Sequence, residues 1–112
     1  MDPMKPFNAI VKGTFAREGA FDAIKSANAS TRVALVREPN NQHDKNAVRI
    51  DLEKGGFFSS KLVPVGYVAA GKAKQMAPRM DSGGKFEAQI VSTFTGDNQK
   101  FARCTVQIAQ SA

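Results

Sequence analysis

The chain has 112 residues, of which 42% are hydrophobic and 23% are charged, and it carries a formal net charge of +6. This length predicts one domain whose core needs no metal or disulfide for stability, and the composition excludes a largely disordered chain. The basic charge favours a polyanionic partner such as nucleic acid, although an ordinary basic protein would have the same charge.

The chain has one cysteine and one histidine. One cysteine excludes an intramolecular disulfide, and the alternating residues around Cys104 predict a buried structural thiol. A zinc site needs about four ligands, which this chain does not supply, so no metal or other cofactor is expected. No segment has the apolar length of a signal peptide or of a membrane span, which takes about 20 residues. We therefore expect a soluble, intracellular protein without membrane contacts. A monomer is also expected, separately from these signals.

The first part of the chain predicts a lead-in, a strand and a helix. Residues 1–6 hold two prolines and are expected to form a flexible lead-in to one domain over residues 7–110. A first strand is predicted over 7–15, where Gly13 indicates a bulge or the close approach of another backbone. The apolar spacing of residues 18–28 predicts a short helix.

The stretch from Arg37 to Asp51 is the most distinctive in the sequence. A strand over 32–37, apolar on both faces and therefore predicted to be central, leads into it. A strand over 46–53 leaves it, and its alternation predicts one wet face that includes Asp51. Between these strands lie more turn-forming residues than a plain turn needs, namely Pro39, Asn40, Asn41, Asp44 and Asn46. We interpret this loop as the functional edge of the domain.

The second half of the chain predicts three more strands and a second helix. Residues 62–68 predict a strand in which Pro64 lies at the start or on a sheet edge. Residues 69–80 predict a helix, and Pro78 predicts an early end or a kink in it. Strands over 85–95 and 100–110 follow, joined by a hairpin turn at 95–98. Six strands and two short helices in so short a chain favour a small antiparallel barrel or sandwich.

Three motifs resemble the HIRAN domain family. The run Leu35-Val-Arg-Glu-Pro-Asn-Asn-Gln-His-Asp-Lys-Asn-Ala-Val-Arg-Ile matches the central family motif without a gap. Val65-Gly-Tyr-Val, which leads into a helix, matches a second motif, and Lys12-Gly-Thr-Phe followed by Arg17 is similar to the opening strand. The resemblance covers about residues 7–95.

The resemblance implies a mainly β (α+β) fold, a small OB-like antiparallel β-barrel with two short helices. HIRAN domains occur on certain DNA translocases and as stand-alone bacterial and phage proteins, and the eukaryotic domain captures the 3′ end of single-stranded DNA. The implied function is a non-catalytic DNA-binding module for single strands or 3′-hydroxyl ends, serving DNA repair or replication-fork processing. The implied location is the cytoplasm with the nucleoid in a bacterial or phage setting, or the nucleus in a eukaryote.

The chain has no phosphate-binding loop of a motor protein, so any ATPase or hydrolase activity linked to the family would lie on another domain or chain. A helicase, translocase or nuclease is accordingly the implied protein partner, beside nucleic acid itself.

The resemblance places candidate roles on four residues. Asp44 occupies the position of the hydroxyl-binding aspartate, since an ionised carboxylate accepts a hydrogen bond from a 3′-hydroxyl and repels a 3′-phosphate. Its alternative role is to bind turn amides. His43 takes the place of a base-stacking aromatic, or is a solvated turn residue. Asn41 binds a base edge or shapes the turn, and Tyr67 lies near the terminal phosphate or is a half-buried barrel tyrosine.

Further candidates lie outside the loop. Phe15 and Arg17 resemble a stacking-plus-cation pair, and Lys72 and Lys74 begin the second helix, where amides favour anions. Phe94 is a further stacking group or a core phenylalanine. The full set of candidate DNA-binding residues is Phe15, Arg17, Asn41, His43, Asp44, Lys45, Tyr67, Lys72, Lys74 and Phe94.

Two other functions remain open. One is a protein-interaction module that docks an acidic partner or a motor or helicase chain through its basic face. The other is a nuclease that uses Asp44, His43 and Asp51 around a metal ion.

Overall fold

A computed structural model describes residues 2–56, 59–97 and 101–112 of the chain. Within these ranges a mainly β fold with two short helices is confirmed. Its elements are β1 (Phe7–Ile10), α1 (Ala20–Ser26), β2 (Val33–Arg37), β3 (Val48–Gly55), β4 (Ser60–Tyr67), α2 (Ala70–Asp81), β5 (Phe86–Thr95) and β6 (Ala102–Gln110). A 3₁₀ turn, Thr14–Ala16, precedes α1. No helix in the described part of the chain is long and apolar enough to cross a membrane.

The strands form two antiparallel sheets with the orders β1-β6-β5 and β2-β3-β4. Strand β2 of one sheet lies beside β5 of the other, and a bridge between Lys12 and Tyr67 joins the sheets elsewhere. The arrangement is OB-like, but hydrogen-bonded ladders do not close it into a full barrel across the described residues. The prediction that the second strand is central was wrong, because β2 is an edge strand. Its residues are half-buried along their whole length, which explains its apolar character.

The hydrophobic core lies between the two sheets and α1. The helix packs against strands of both sheets and buries Ala20, Ala23 and Ile24. Cys104 is fully buried in β6, as predicted, and this burial raises the pKa of its thiol to about 11. The largest fully buried side chains are Ile24, Ile50, Leu52, Met76, Ile108, Val48, Val65, Val106 and Cys104.

A β-bulge turns Tyr67 away from the core. In the β3–β4 ladder, Ile50 pairs with Gly66 and Asp51 pairs with Pro64, so Val65 is an extra residue in β4. One extra residue reverses the faces on which later side chains lie. Val65 remains fully buried, whereas Tyr67 pairs with Arg49 and is half-buried on the outer face.

A second bulge has the same effect on Phe94. In the β5–β6 ladder, Ile90 pairs with Val106 and Ser92 pairs with Thr105, which leaves Val91 as the extra residue. Phe94 therefore lies opposite Arg103 on the outer face, and 59% of its surface is exposed. The alternative that Phe94 is a core phenylalanine was wrong. Simple alternation would place Phe94 on the same face as Ile90, but the extra residue Val91 moves it to the opposite face.

Helix α2 differs from the prediction at its end. It buries Ala73, Met76 and Ala77 as expected but continues to Asp81, beyond Pro78. The loss of one backbone donor at Pro78 is tolerated in the last turn, and the helix stops at the following glycines instead. Gly83 has a φ of 94°, and its amide donates to the Met80 carbonyl over 3.0 Å.

Residues 2–6, the expected lead-in, form no helix or strand. The Met4 amide donates to Gln110 Oε1 over 2.9 Å, and Arg79 Nη1 donates to the Asp2 carbonyl over 2.7 Å. The Met4 side chain also packs against the core cluster. These contacts connect the start of the chain to α2 and β6.

The close backbone approach expected at Gly13 occurs at Gly66. A Cβ at Gly13 would have no neighbour within 4 Å, and the residue instead has a φ of 80° and turns the chain into the 3₁₀ turn. This turn ends the first strand at Ile10. At Gly66 a Cβ would overlap the Lys12 carbonyl oxygen and lie 2.6 Å from Val11 Cγ1. Two backbone hydrogen bonds of 2.9 Å join Lys12 to Tyr67 at this point, so only glycine allows the two sheets to meet here.

We predict that Gly66→Ala destabilises the protein by roughly 3 kcal/mol or more, because the added methyl pushes two backbones apart. Gly71→Ala is the matched control, since a Cβ at this helical position has no neighbour within 4 Å. The control is expected to raise stability by about 0.5–1 kcal/mol, as alanine favours a helix over glycine. Chemical unfolding measures both variants, and equal midpoints for the two would contradict the prediction.

Candidate nucleic-acid interface

A pocket of about 350 Å³ opens between the loop after β2 and the junction of β4 with α2. The loop supplies one wall, and the residues that leave β4 supply the other. Arg17, from the segment between the 3₁₀ turn and α1, reaches the same pocket. Its lining residues are Arg17, Asn41, His43, Asp44, Ala47, Tyr67, Val68 and Ala70.

The loop wall is shaped by side-chain hydrogen bonds to its own backbone. Asn41 Oδ1 accepts from the amides of His43 and Asp44 over 2.8 and 3.0 Å. Asp44 Oδ1 accepts from the Asn46 amide over 2.8 Å. Such bonds are why Asn and Asp favour turns. The second carboxylate oxygen of Asp44 has no hydrogen-bond partner among the described residues, so a ligand could donate to it.

The opposite wall centres on the Tyr67 hydroxyl. It donates to Glu38 Oε1 over 2.8 Å and accepts a hydrogen bond from Arg17 Nη2. The Arg17 guanidinium carbon also lies 4.9 Å from the centre of the Tyr67 ring, a distance at which a cation interacts favourably with the ring. Asn41 Nδ2 donates to Glu38 Oε1 over 3.1 Å and lies 3.5 Å from the Tyr67 oxygen.

Behind this wall, Arg49 connects Glu38 to the interior. Its Nη1 donates to Glu38 Oε2 over 2.9 Å, while its Nε and Nη2 donate to the two oxygens of Asp51 over 2.8 and 3.0 Å. Asp51 is only 3% exposed, so the prediction that it faces the wet side was wrong. A buried carboxylate requires such a bidentate partner.

These contacts change the pKa values of three groups. The hydrogen bond from Asn41, with further bonds from Tyr67 and Arg49, lowers the pKa of Glu38 below its usual 4.5 although burial opposes this. Burial, together with the adjacent Glu38 carboxylate, raises the pKa of Tyr67 above 10.0. The hydrogen bonds to Asp51 and Glu38 raise the pKa of Arg49. At neutral pH the site therefore contains a carboxylate, a neutral phenol and a guanidinium.

The structure brings five of the ten candidate residues together. Arg17, Asn41, His43, Asp44 and Tyr67 all line the pocket, although they come from three separate segments of the chain. Asn41 shapes the turn and Asp44 binds a turn amide, which were the alternative roles for these residues, and both residues also line the pocket.

The other five candidates lie outside the pocket. Lys45 is exposed on the same loop and Lys74 is exposed on α2, whereas Lys72 Nζ lies 4.7 Å from the centre of the Phe7 ring. Phe15 is 85% exposed and lines the neighbouring cleft that Arg17 shares. Phe94 lies on the β5–β6 hairpin, as described above.

Two features of the interface were not predicted from the sequence. The place of Glu38 between the loop arginines indicates a partner for one of them, and it does bind Arg49, but its contacts with both walls of the pocket were not predicted. Phe101 contacts Phe94 at 5.8 Å between ring centres with 66° between the ring planes. Arg103 lies 5.6 Å above the Phe101 ring. The periodicity of β6 alone does not reveal this exposed aromatic pair, because the β5–β6 register determines it.

The two arginines that flank the loop, Arg37 and Arg49, are both paired with carboxylates. Arg49 is bound as described, and Arg37 donates to both oxygens of Asp81 on α2 over 3.1 and 3.2 Å. In the ranges that the structure describes, no group of three or more His, Cys, Asp or Glu side chains could hold a metal ion. His43 and Asp44 line the pocket, whereas Asp51 is buried against Arg49, so the three proposed nuclease residues do not form one cluster.

The fold and the pocket together define an OB-like β domain with a pocket of polar and apolar residues at a loop edge. The family model for the HIRAN domain matches residues 10–109, and the chain therefore belongs to the HIRAN family. A search of curated protein sequences gave no significant match.

Two solved structures share this fold. A protein from Lactobacillus plantarum has a TM-score of 0.70 at 18% identity, with 96% of this chain and 92% of that chain covered. The HIRAN domain of human HLTF has a TM-score of 0.63 at 23% identity, with 96% of this chain and 76% of that chain covered. At these identities, the two comparisons show a shared fold.

We predict that Tyr67 ionises above pH 10.0 in the folded protein, because burial and the Glu38 carboxylate disfavour the phenolate. Because folding raises the pKa of Tyr67, the neutral phenol adds to the free energy of unfolding at pH values below the pKa that Tyr67 has in the unfolded chain. That contribution is lost as pH rises through the folded value. Tyr67 is the only tyrosine and the chain has no tryptophan, so ultraviolet absorbance follows this phenol alone. If Tyr67 has the same ionisation midpoint in the folded protein as in the chain unfolded by denaturant, the prediction is wrong.

Proposed function

We propose that this chain is a DNA-binding module without catalysis of its own, and that it recognises single-stranded DNA or its 3′-hydroxyl end. HIRAN domains of HLTF-like proteins are DNA-binding domains, and this chain has the basic charge that such binding requires. The observation that carries the proposal is the convergence of Asp44, Tyr67 and Arg17 in one pocket.

Each of these groups suits one part of a terminal nucleotide. The unpartnered oxygen of Asp44 accepts the hydrogen bond that a 3′-hydroxyl donates. Arg17 retains guanidinium N–H groups besides the one bound to Tyr67, and these suit a phosphate. His43 and the Tyr67 ring offer flat surfaces at the pocket, which unpaired bases favour. A pocket of about 350 Å³ is sized for one nucleotide rather than for a duplex.

A strand that leaves the pocket would find further stacking groups nearby. Phe15 is 85% exposed in a cleft that shares Arg17 with the pocket and also includes Ala102, the first residue of β6. The exposed Phe94 and Phe101 lie at the same end of β5 and β6. This continuity favours a path from the pocket across Phe15 toward the hairpin.

In the cell, such a module would serve DNA repair or replication-fork processing beside a helicase, translocase or nuclease that supplies the chemistry. Its place would be with the DNA, in the cytoplasm of a bacterium or in the nucleus of a eukaryote. We propose that it acts as a monomer, since the pocket is formed by one chain.

A second candidate function is a protein-interaction module for an acidic partner. The observation that favours it is the exposed aromatic pair Phe94 and Phe101 beside Arg103, since aromatic residues and arginine are enriched in protein interfaces. Binding of a partner chain without DNA binding at low salt would select this function.

We predict that a single strand with a 3′-hydroxyl binds at least about tenfold more tightly than the same strand with a 3′-phosphate, because a hydrogen bond to a charged group contributes about 1.5–3 kcal/mol. Asp44→Asn keeps an oxygen for the Asn46 amide but removes the charge, and should abolish this preference. Fluorescence anisotropy measures both, and strands that differ only at the 5′ end are the control. Equal affinity of the native protein for the two 3′ ends would refute end recognition.

We predict that Phe15→Ala and Phe94→Ala each weaken binding of a strand of several nucleotides by about 1–3 kcal/mol, the usual contribution of one stacked base. Both residues are exposed, so each variant should change the free energy of unfolding by no more than about 1 kcal/mol. A dinucleotide is too short to span pocket and hairpin, and its affinity should not change in Phe94→Ala. Unaltered affinity for the longer strand in both variants would exclude the proposed path.

A further inference from the structure

The Glu38 carboxylate contacts both walls of the pocket, although an acidic group at a DNA site opposes phosphate binding. We propose that Glu38 is a positioning residue that holds Tyr67 and the Asn41–Asp44 turn in the arrangement that distinguishes a 3′-hydroxyl end. This inference rests on the proposed function for its ligand, but the contacts on which it depends exist in the free protein.

On the Tyr67 side, Glu38 determines what the hydroxyl can do. The hydroxyl has one proton, and it is donated to Glu38 Oε1 over 2.8 Å. Its oxygen accepts from Arg17 Nη2. The Tyr67 hydroxyl therefore cannot donate to a phosphate, and the remaining N–H groups of Arg17 are the donors that this wall offers.

On the loop side, Glu38 sets the orientation of the Asn41 amide. A carboxylate only accepts hydrogen bonds, so Asn41 Nδ2 must face Glu38 Oε1, at 3.1 Å. This leaves Asn41 Oδ1 facing the loop, where it accepts from the amides of His43 and Asp44. With the amide reversed, its oxygen would meet the carboxylate and its nitrogen would meet two amide donors. The carboxylate thereby fixes the turn that presents Asp44.

The carboxylate itself is anchored to the sheets. Glu38 Oε2 accepts from Arg49 Nη1 over 2.9 Å, and Arg49 is held by the buried Asp51. The Glu38 amide donates to the Ala47 carbonyl over 3.0 Å. The distance between the two walls therefore depends on a group whose position is set by β3 rather than by the loop.

The substitution Glu38→Gln separates positioning from simple electrostatics. In the native protein one Glu38 oxygen accepts from Arg49 and the other accepts from Tyr67 and Asn41. A glutamine has only one acceptor oxygen, so either the Arg49 bond is lost or the bonds to Tyr67 and Asn41 are replaced by contacts with an NH₂ donor. The variant also removes one negative charge, which by long-range attraction alone would strengthen DNA binding. For a 3′-hydroxyl strand, positioning therefore predicts weaker binding by Glu38→Gln, whereas long-range electrostatics predicts tighter binding.

The experiment compares Glu38→Gln with Glu87→Gln, which makes the same charge change at an exposed residue of β5. We expect Glu38→Gln to weaken binding of a 3′-hydroxyl single strand by about tenfold and to reduce its preference over a 3′-phosphate strand. Glu87→Gln should bind equally or more tightly, with the preference intact. Unchanged or tighter binding by Glu38→Gln with the native preference would overturn the inference.

The free protein supplies a second readout that needs no DNA. Since Tyr67 is the only tyrosine, its ionisation midpoint should fall in Glu38→Gln and stay at the native value in Glu87→Gln. If the native protein shows no preference for 3′-hydroxyl ends, the proposed function fails, and this midpoint alone then decides whether Glu38 holds Tyr67. An unchanged midpoint in Glu38→Gln would overturn the inference in either case.

Tyr67→Phe is used if Glu38→Gln does not fold. It removes the hydroxyl that Glu38 holds while the ring and the Glu38–Arg49 contact remain. A reduced preference for the 3′-hydroxyl strand would support positioning, whereas a native preference would refute it.

Discussion

The meeting of the two sheets at Gly66 is the constraint on which the rest of the structure depends. The amide and the carbonyl of Lys12 both pair with Tyr67, and the absence of a side chain at Gly66 lets these backbones approach. The segment after Lys12 carries Arg17, while the residues after Gly66 form the pocket wall. One close contact therefore brings the first part of the chain to the middle part, and the pocket forms at that junction.

The aromatic residues reach the surface through irregular strands rather than through loops. An extra residue in β4 and another in β5 reverse the alternation of side chains, so that Tyr67 and Phe94 point outward while Val65 and Ile90 before them stay in the core. Bulges commonly re-aim side chains near functional sites. Here the same device is used once in each sheet.

Much of the fold could be predicted from the sequence, because periodicity and turn residues are local signals. They gave six strands, two helices and the buried face of α2, and the long central motif identified the loop that contains Asp44. The convergence of five candidates in one pocket required the family resemblance, since Arg17, Asp44 and Tyr67 are far apart in the chain.

The remaining features depend on register and tertiary packing, which a single sequence does not encode visibly. Asp51 alternates as a solvent-facing residue should, yet it is buried and bound by Arg49. Residues 32–37 are apolar like a central strand, yet β2 is an edge strand that packs beside β5. The ion pair of Arg37 with Asp81 and the hydrogen bonds of Glu38 with Tyr67 and Asn41 likewise follow from contacts that no spacing rule predicts.

The burial of Cys104 has a practical consequence. The only native thiol of the chain, that of Cys104, lies out of reach of thiol reagents at neutral pH, since it is enclosed in β6 and resists ionisation. A cysteine introduced at an exposed position such as His43 would then be the one reactive thiol of the folded chain. A fluorophore or spin label could be attached there without first removing Cys104 and weakening the core.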